Sequence, residues 1–156
     1  MSKTLVAYFS ATGTTRRVAE RLARAAQADL FEIKPAVPYS SADLDWTNKA
    51  SRTSKERSDE SIRPALAVKL ADASAYNVVY IGFPIWWYVA PTIVNTFLEG
   101  LDLKGKAVVP FATSGGSGMG KTNERLSPSC PGAKLVEGKV WKASASADDL
   151  AAWAES

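Results

Sequence analysis

Short apolar runs alternate with amphipathic segments along most of this chain, and that alternation constrains the fold more than any other feature. Residues 4–9, 78–83 and 107–112 are almost continuously apolar, which is typical of parallel strands covered on both faces. Two further strands are predicted at 30–33 and 134–141. Strands that alternate with helices predict an α/β fold with a doubly wound parallel sheet, helices on both faces and right-handed crossovers. Five strands fit the order 2-1-3-4-5, in which ligands bind where the order reverses.

The segments between the strands have the spacing of amphipathic helices. Val18 and Leu22 lie on one side of the first segment, and arginines occupy the other side. Pro91 stands near the first turn of a later helix, where a missing N–H costs nothing, and Gly100 is placed to end that helix. The sequence predicts helices at 14–26, 64–73, 91–98, 121–126 and 147–154.

Three features interrupt the regular pattern. Pro110 inside a strand predicts a bulge or an unpaired position, and Gly138 weakens the centre of the last strand. Residues 35–62 show no clear periodicity, although they contain Tyr39 and Trp46. Irregular connections of this length are usually functional lids or disordered, and the aromatic residues favour an ordered lid. We therefore expect a long, irregular, lid-like insertion after the second strand.

The composition excludes several kinds of chemistry. The 156 residues contain no histidine and one cysteine, Cys130. Ser-His-Asp triads, Cys-His pairs and zinc sites built from histidines or several thiolates are therefore excluded. Redox or transfer chemistry must then depend on a bound cofactor or on carboxylates. We predict no metal site and assign no catalytic side chain.

Length, cysteine content and charge indicate the number of domains, the cellular location and the kinds of partner. The chain fits a single domain over residues 1–156. One cysteine, with neither a signal peptide nor an apolar run of membrane-spanning length, favours a cytoplasmic protein without a membrane partner. The net charge is +3, but charges of both signs are interspersed, so we do not expect nucleic acid as a partner. The oligomeric state is left open.

The segment that follows the first strand, residues 10–15, combines small hydroxyl residues with one glycine. Glycine lets the backbone approach a ligand closely, and the N–H groups at the start of the next helix attract anions. The segment lacks the lysine and spacing of nucleoside-triphosphate loops, so it suits a single phosphomonoester. An ordinary capped helix start is the structural alternative. The candidate phosphate-binding residues are Ser10, Thr12, Gly13, Thr14 and Thr15.

Two further loops leave the same edge of the sheet, because parallel strands end together. Three consecutive aromatic residues at 86–88 follow the third strand; their rings suit stacking on a flat ligand, or else cap the core or contact a second subunit. The glycine-rich segment after the fourth strand exposes backbone N–H and C=O groups that suit the polar edge of a ring, or else forms a flexible linker. The candidate ligand-binding residues are Pro84, Ile85, Trp86 and Trp87 in the first loop, and Ser114, Gly115, Gly116, Ser117 and Gly118 in the second.

Residues 10–15 resemble the phosphate loop of the flavodoxin-like family of FMN proteins in composition, spacing and location. The resemblance covers essentially the whole chain, and the Pro-Ile-Trp-Trp run at 84–87 resembles a bacterial branch of this fold more than the short electron carriers. It implies that FMN is the cofactor and that residues 10 and 12–15 hold its phosphate. It also implies that the loops at 84–87 and 114–118 flank the flavin ring.

The chain departs from the family in two respects. Well-known flavodoxins are strongly acidic, whereas this chain has a net charge of +3. Residues 113–120 contain no aromatic side chain, although the second flavin loop usually carries an exposed tyrosine. We therefore expect the lid to cover the opposite face of the flavin, where Tyr39 and Trp46 are available.

Three functions remain open. The first is a flavodoxin-type electron carrier that works with a redox partner protein. The second is an FMN-dependent NAD(P)H oxidoreductase acting on quinones or similar acceptors, in which Asp43, Asp45 and Arg63 are candidates to line a nicotinamide pocket. The third is a scaffold with the same fold and no redox activity. Turnover of NAD(P)H separates the first two, and cofactor content separates the third.

Overall fold

In a computed structural model of the chain, the described strands form one parallel sheet. The structure describes residues 3–10, 13–37, 39–40, 42–44, 47–48, 50–59, 61–67, 76–85, 91–113, 122–136, 138–141 and 146–155. The strands are β1 (Lys3–Tyr8), β2 (Asp29–Glu32), β3 (Tyr76–Pro84), β4 (Ala107–Thr113), β5 (Lys134–Leu135) and β6 (Lys139–Trp141).

The strand order is β2-β1-β3-β4-β5, which confirms the predicted order 2-1-3-4-5. The fifth strand is interrupted, however, because β5 and β6 pair with different parts of β4. Pro110 lies at this interruption: Val108 pairs with β5 and Phe111 pairs with β6, whereas β3 pairs with β4 without a break. Pro110 pairs with Ile81 of β3 and has no partner in the described residues of β5 or β6, so the expected unpaired position is found on that side of β4 only. The expected single strand over 134–141 was wrong at its centre, where Gly138 lies.

Five α-helices are present in the described residues. They are α1 (Thr14–Ala26), α2 (Arg52–Ser58), α3 (Thr92–Glu99), α4 (Thr122–Leu126) and α5 (Ala147–Glu155), with a short 3₁₀ helix at Ser127–Ser129. The predicted helices at 14–26, 91–98, 121–126 and 147–154 are confirmed to within one residue at each end. Pro91 precedes α3 and Gly100 ends it, as expected. None of the helices in the described ranges has the length and apolar character needed to cross a membrane.

Two expectations for the connection between β2 and β3 were wrong. The segment 35–62 is not irregular throughout, because α2 lies inside it. Residues 64–67 are not helical: Ala36 donates to the Ala65 carbonyl and Ala67 donates to the Lys34 carbonyl, both at 2.8 Å. This backbone pairing overrides the helix propensity of an alanine- and leucine-rich segment. The rest of that predicted helix, 68–73, lies outside the described residues.

Two apolar layers cover the two faces of the sheet. Alternate residues of β1 point to opposite faces, so Leu5 and Ala7 pack in the layer that includes α3. Val6 and Tyr8 pack in the layer that includes α1 and α5. Both layers contain fully buried aliphatic side chains, which explains why the strands are apolar on both faces. The two apolar layers therefore hold the strands in place. The loops that follow the strands leave from the carboxyl edge of the sheet.

The order in which the chain adds strands to the sheet reverses at β1. From β1 the chain crosses to β2 at one side of the sheet, and it later enters β3 on the other side of β1. The loops that leave β1 and β3 therefore diverge at their carboxyl ends. Open α/β sheets bind ligands in the crevice at such a point.

Candidate cofactor site

The loop between β1 and α1 contains the predicted phosphate-binding residues. Ser10 follows β1, and its Oγ atom accepts a hydrogen bond of 2.9 Å from the Gly13 backbone N–H. Gly13 is the N-cap of α1 and has a φ of 95°, in the left-handed region where glycine is favoured. Among the described residues, a Cβ atom at Gly13 would meet no atom within 4 Å, so the described part of the protein leaves the space beside this backbone open. Thr12 lies outside the described residues.

The N-terminus of α1 has the features of an anion-binding site. Arg17 makes the first intrahelical hydrogen bond, to the Gly13 carbonyl, so the N–H groups of residues 14–16 precede the helical hydrogen-bond ladder. The N-cap residue is a glycine, no side chain of the described residues caps the helix, and its first turn contains no acidic residue. The partial positive charge of the helix N-terminus is therefore not offset by the helix itself. Thr14 and Thr15 lie in this first turn, as predicted from the sequence.

The hydroxyl of Thr15 was expected to bind phosphate, but the structure places it elsewhere. Its side chain is buried, and its Oγ1 atom shares a hydrogen bond of 2.7 Å with Oγ1 of Thr113. The Thr15 hydroxyl therefore faces the protein interior, and the part of Thr15 that suits a phosphate is its backbone N–H. Thr113 is the last residue of β4 and is also buried.

Thr113 connects the ends of several elements. It pairs with Pro84 of β3 on one side and with Trp141 of β6 on the other. Its carbonyl accepts a hydrogen bond of 2.9 Å from the Ile85 N–H, and its hydroxyl reaches α1. Thr113 was not among the predicted site residues. A polar residue that ends an apolar strand, immediately before the glycine-rich loop, was the available signal.

The described residues from which the three predicted loops leave the sheet lie at one edge. Pro84 and Ile85 lie beside Thr113, and the Phe9 N–H donates to the Gly82 carbonyl at 2.8 Å, which joins the ends of β1 and β3. The other predicted residues of these two loops lie outside the described residues: Trp86, Trp87, Ser114, Gly115, Gly116, Ser117 and Gly118. The described chain stops at Ile85 and at Thr113, which both lie at the carboxyl edge of the sheet.

Side chains proposed for the lid have partners within the protein. The Tyr39 hydroxyl donates to Glu56, the Arg52 guanidinium carbon lies 3.8 Å from the centre of the Tyr39 ring, and burial raises the pKa of the phenol. This structure therefore does not support Tyr39 as an open stacking surface. Trp46 and Asp45 lie outside the described residues.

The remaining candidates for a nicotinamide pocket, Asp43 and Arg63, also make contacts within the protein. The Asp43 carboxylate accepts the Ser40 N–H at 2.9 Å, and this hydrogen bond lowers the pKa of Asp43. Arg63 makes a bidentate contact with Glu99 of α3, at 2.9 and 3.1 Å. Within the described ranges, no group of three or more carboxylate or thiol side chains is arranged to hold a metal ion.

We expect the Thr15–Thr113 hydrogen bond to show strong coupling in a double-mutant cycle. Thr15→Val and Thr113→Val should each lower the free energy of unfolding of the apoprotein by about 1–3 kcal/mol, because each leaves a buried hydroxyl without its partner. The double variant should lose less than the sum, by about 1 kcal/mol or more. Urea unfolding measures these values. Additive losses would show that the two hydroxyls do not depend on each other.

Comparison with known proteins agrees with this architecture. The sequence profile of the flavodoxin family matches residues 3–156. A candidate flavoprotein from Bacteroides uniformis is 48% identical, with a TM-score of 0.94 and 99% of each chain covered. A second, from Bacteroides eggerthii, is 52% identical, with a TM-score of 0.93 over 99% of this chain and 97% of its own. The chain belongs to the flavodoxin family, which confirms the fold and the resemblance inferred from sequence.

A more distant structure includes a cofactor. A flavoprotein from Lactobacillus acidophilus, solved in complex with FMN, is 24% identical; it has a TM-score of 0.71 and covers 90% of this chain and 93% of its own. At that level of identity the likeness concerns the fold. A search of curated proteins gave no match.

The described residues fit the phosphate end of FMN. Within the described part of the chain, the space beside the positive-φ backbone of Gly13 is open, and no side chain caps the N–H groups of the first turn of α1. These are the features that a phosphomonoester requires, because its oxygens accept several short hydrogen bonds from backbone donors. The segments expected to flank the flavin ring are outside the described residues.

Proposed function

We propose that this protein binds one FMN at the carboxyl edge of its sheet and transfers electrons through it, as an electron carrier. The observation that carries the proposal is the N-terminus of α1, at the point where the strand order reverses: its N-cap is Gly13, with a φ of 95°, and the described residues leave the space beside Gly13 open. Membership of the flavodoxin family supports FMN as the cofactor.

The residues of the site would bind and orient the cofactor. The N–H groups of Thr14 and Thr15 are placed to donate to phosphate oxygens, and Ser10 holds the Gly13 peptide in position through its Oγ atom. Thr113 fixes α1 to the end of β4 and fixes Ile85 beside it. When bound, FMN supplies the one- and two-electron chemistry. No protein side chain is assigned a role as acid or base.

The phosphate should dominate cofactor recognition. Titration of the apoprotein, followed by flavin fluorescence, should give FMN a dissociation constant about 100-fold or more below that of riboflavin, because riboflavin lacks the group that several charged hydrogen bonds would hold. Equal affinities would mean that the start of α1 does not bind the phosphate. FMN affinity should also decrease in inorganic phosphate, which competes for the same donors.

The alternative function is an FMN-dependent NAD(P)H oxidoreductase, and the engagement of Asp43 and Arg63 with protein partners weighs against their role in it. Steady-state oxidation of NADH or NADPH with added quinone, by the pure protein, separates the two. A carrier should show little turnover until a reductase is added, whereas turnover without a reductase would establish the oxidoreductase. Absence of flavin binding would instead favour the scaffold.

We also propose a cytoplasmic location. Cys130 is buried, and burial raises the pKa of its thiol, so this group is poorly suited to redox exchange. A reducing compartment fits a chain with this single cysteine. A redox partner protein or NAD(P)H, according to which of the two functions holds, would deliver or remove the electrons.

A further inference from the structure

The connection after β2 leaves the sheet and returns through a narrow neck. The neck consists of residues 34–36 and 65–67, which are joined by the two backbone hydrogen bonds already described and by a bridge between Pro35 and Leu66. We call the described residues of 37–64 the cap. The returning end of the cap is held to α3 by the Arg63–Glu99 contact. The cap is thus closed at its base and attached near both of its ends.

The helix inside the cap has no apolar side chain. The sequence of α2 is RTSKERS, seven residues long. A helix this short is unstable alone, and most helices in proteins gain stability by packing an apolar face, which α2 lacks. Among its described side chains, Thr53 and Glu56 are buried, and Ser51 caps its start by accepting from the Ser54 N–H. Polar contacts must therefore hold α2 in place.

Arg52 and Glu56 supply the main polar contact, which we call the latch. Glu56 is 5% exposed, and its carboxylate accepts hydrogen bonds from the Tyr39 hydroxyl and, at 3.0 Å, from Arg52 Nε. The Arg52 guanidinium covers the Tyr39 ring and donates to the Val37 carbonyl at 2.6 Å. A buried carboxylate is tolerated only when it is paired in this way. Loss of Arg52 would leave Glu56 without its charge partner.

The latch lies next to the cofactor edge. The Tyr39 ring contacts the Phe9 ring, with 5.6 Å between centres, and Phe9 directly precedes Ser10 of the phosphate loop. This aromatic contact joins the cap to the end of β1. Segments stabilised by polar contacts and few buried apolar ones open at lower free energy than a core sheet. The cap should therefore open at lower free energy than the sheet. It also lies beside the cofactor edge and is joined to the sheet through the neck.

We propose that the cap is a hinged unit that opens about its neck, with Arg52 as the positioning residue that holds it closed over the cofactor edge. Opening exposes that edge to the electron acceptor and allows FMN to leave. The gating role rests on the proposed FMN function. The hinged opening itself does not, because it concerns contacts within the protein.

Hydrogen exchange of the apoprotein tests the hinge without any cofactor. The reporting amides are those of Leu44, Thr53, Lys55 and Asp59, which all donate within the cap. They should exchange at similar rates, and at least about tenfold faster than the amides of β1 and β3. Arg52→Gln should lower cap protection at least about tenfold further and leave β1 and β3 unchanged. Lys55→Gln is the matched control, because it removes the same charge from an exposed position of the same helix.

Two outcomes would overturn the hinge. One is protection of the cap amides equal to that of β1 and β3 in the unaltered protein, which would mean that the cap opens only when the whole protein unfolds. The other is equal exchange in Arg52→Gln and Lys55→Gln. If Arg52→Gln does not fold, Tyr39→Phe removes one donor to Glu56 and retains the ring, and it should give a smaller increase in cap exchange alone.

The rate at which FMN dissociates tests the gate separately. Stopped-flow release into excess apoflavodoxin or another flavin trap should be at least about threefold faster in Arg52→Gln than in the unaltered protein or Lys55→Gln. An unchanged rate in a variant whose cap exchanges faster would overturn the gating role. Failure of the protein to bind FMN would contradict the proposed function, and the exchange experiment would still decide whether the hinge exists.

Discussion

Gly13→Ala should weaken FMN binding about 100-fold, which corresponds to about 2.7 kcal/mol. Gly13 has a φ of 95°, and an alanine there carries strain of about 1–3 kcal/mol. Its Cβ would also enter the open space beside the start of α1, where the phosphate is proposed to lie. The backbone strain and the added Cβ both affect how the N–H groups at the start of α1 reach the phosphate. Fluorescence titration of the apoprotein with FMN measures the change.

Gly105→Ala is the matched control for this prediction. Gly105 has a φ of 77°, and a Cβ there would also meet no described atom within 4 Å, but Gly105 lies in the turn before β4, at the opposite edge of the sheet. The two variants should lose similar stability, about 1–3 kcal/mol from the left-handed conformation. Gly105→Ala should leave FMN affinity unchanged. If Gly13→Ala binds FMN as Gly105→Ala does, the phosphate is not at this loop.

Gly82→Ala should destabilise the protein markedly, and more than Gly100→Ala, whose Cβ would have room. Gly82 lies in β3 between Tyr8 of β1 and Phe111 of β4. A Cβ at Gly82 would overlap the end of the Phe111 ring, which is fully buried and cannot move without displacing its neighbours. Overpacking of this kind costs about 1–3 kcal/mol, so the midpoint of thermal unfolding should fall by several degrees.

Two variants separate this overlap from a general effect of glycine replacement. Gly100→Ala places a Cβ in ordinary contact, 3.6 Å from the nearest atom, and should change the free energy of unfolding by less than about 0.5 kcal/mol. Phe111→Leu provides space beside residue 82, so the double variant with Gly82→Ala should lose less stability than the sum of the two single losses. Additive losses would show that Phe111 is not the obstacle.

The strands, the sheet order and four of the helices could be predicted from the sequence because each leaves a local pattern. β1, β3 and β4 are buried on both faces and therefore read as continuous apolar runs. The helix α1 presents Val18 and Leu22 to the core at helical spacing. The glycine and hydroxyl residues of the segment after β1 predicted a loop with backbone N–H groups at the start of α1, but not that Gly13 is the N-cap with a positive φ.

The parts that sequence reasoning missed depend on contacts between distant residues. Because α2 has no apolar side chain, it leaves no periodic signal, and its position depends on Glu56, Arg52 and Tyr39 coming together. The pairing of Ala36 with Ala65 is a tertiary contact that no local propensity reveals. Thr113 gains its role from Thr15, which is 98 residues away in the sequence.

The visible absorption spectrum of the purified protein, followed by denaturation and identification of the released chromophore, tests the central claim most directly. The proposed site predicts two flavin bands and the release of FMN in a ratio of about one per chain, because the strand order provides one reversal point and one phosphate cradle. A colourless protein that also fails to take up added FMN would contradict the claim and would favour a scaffold without redox activity.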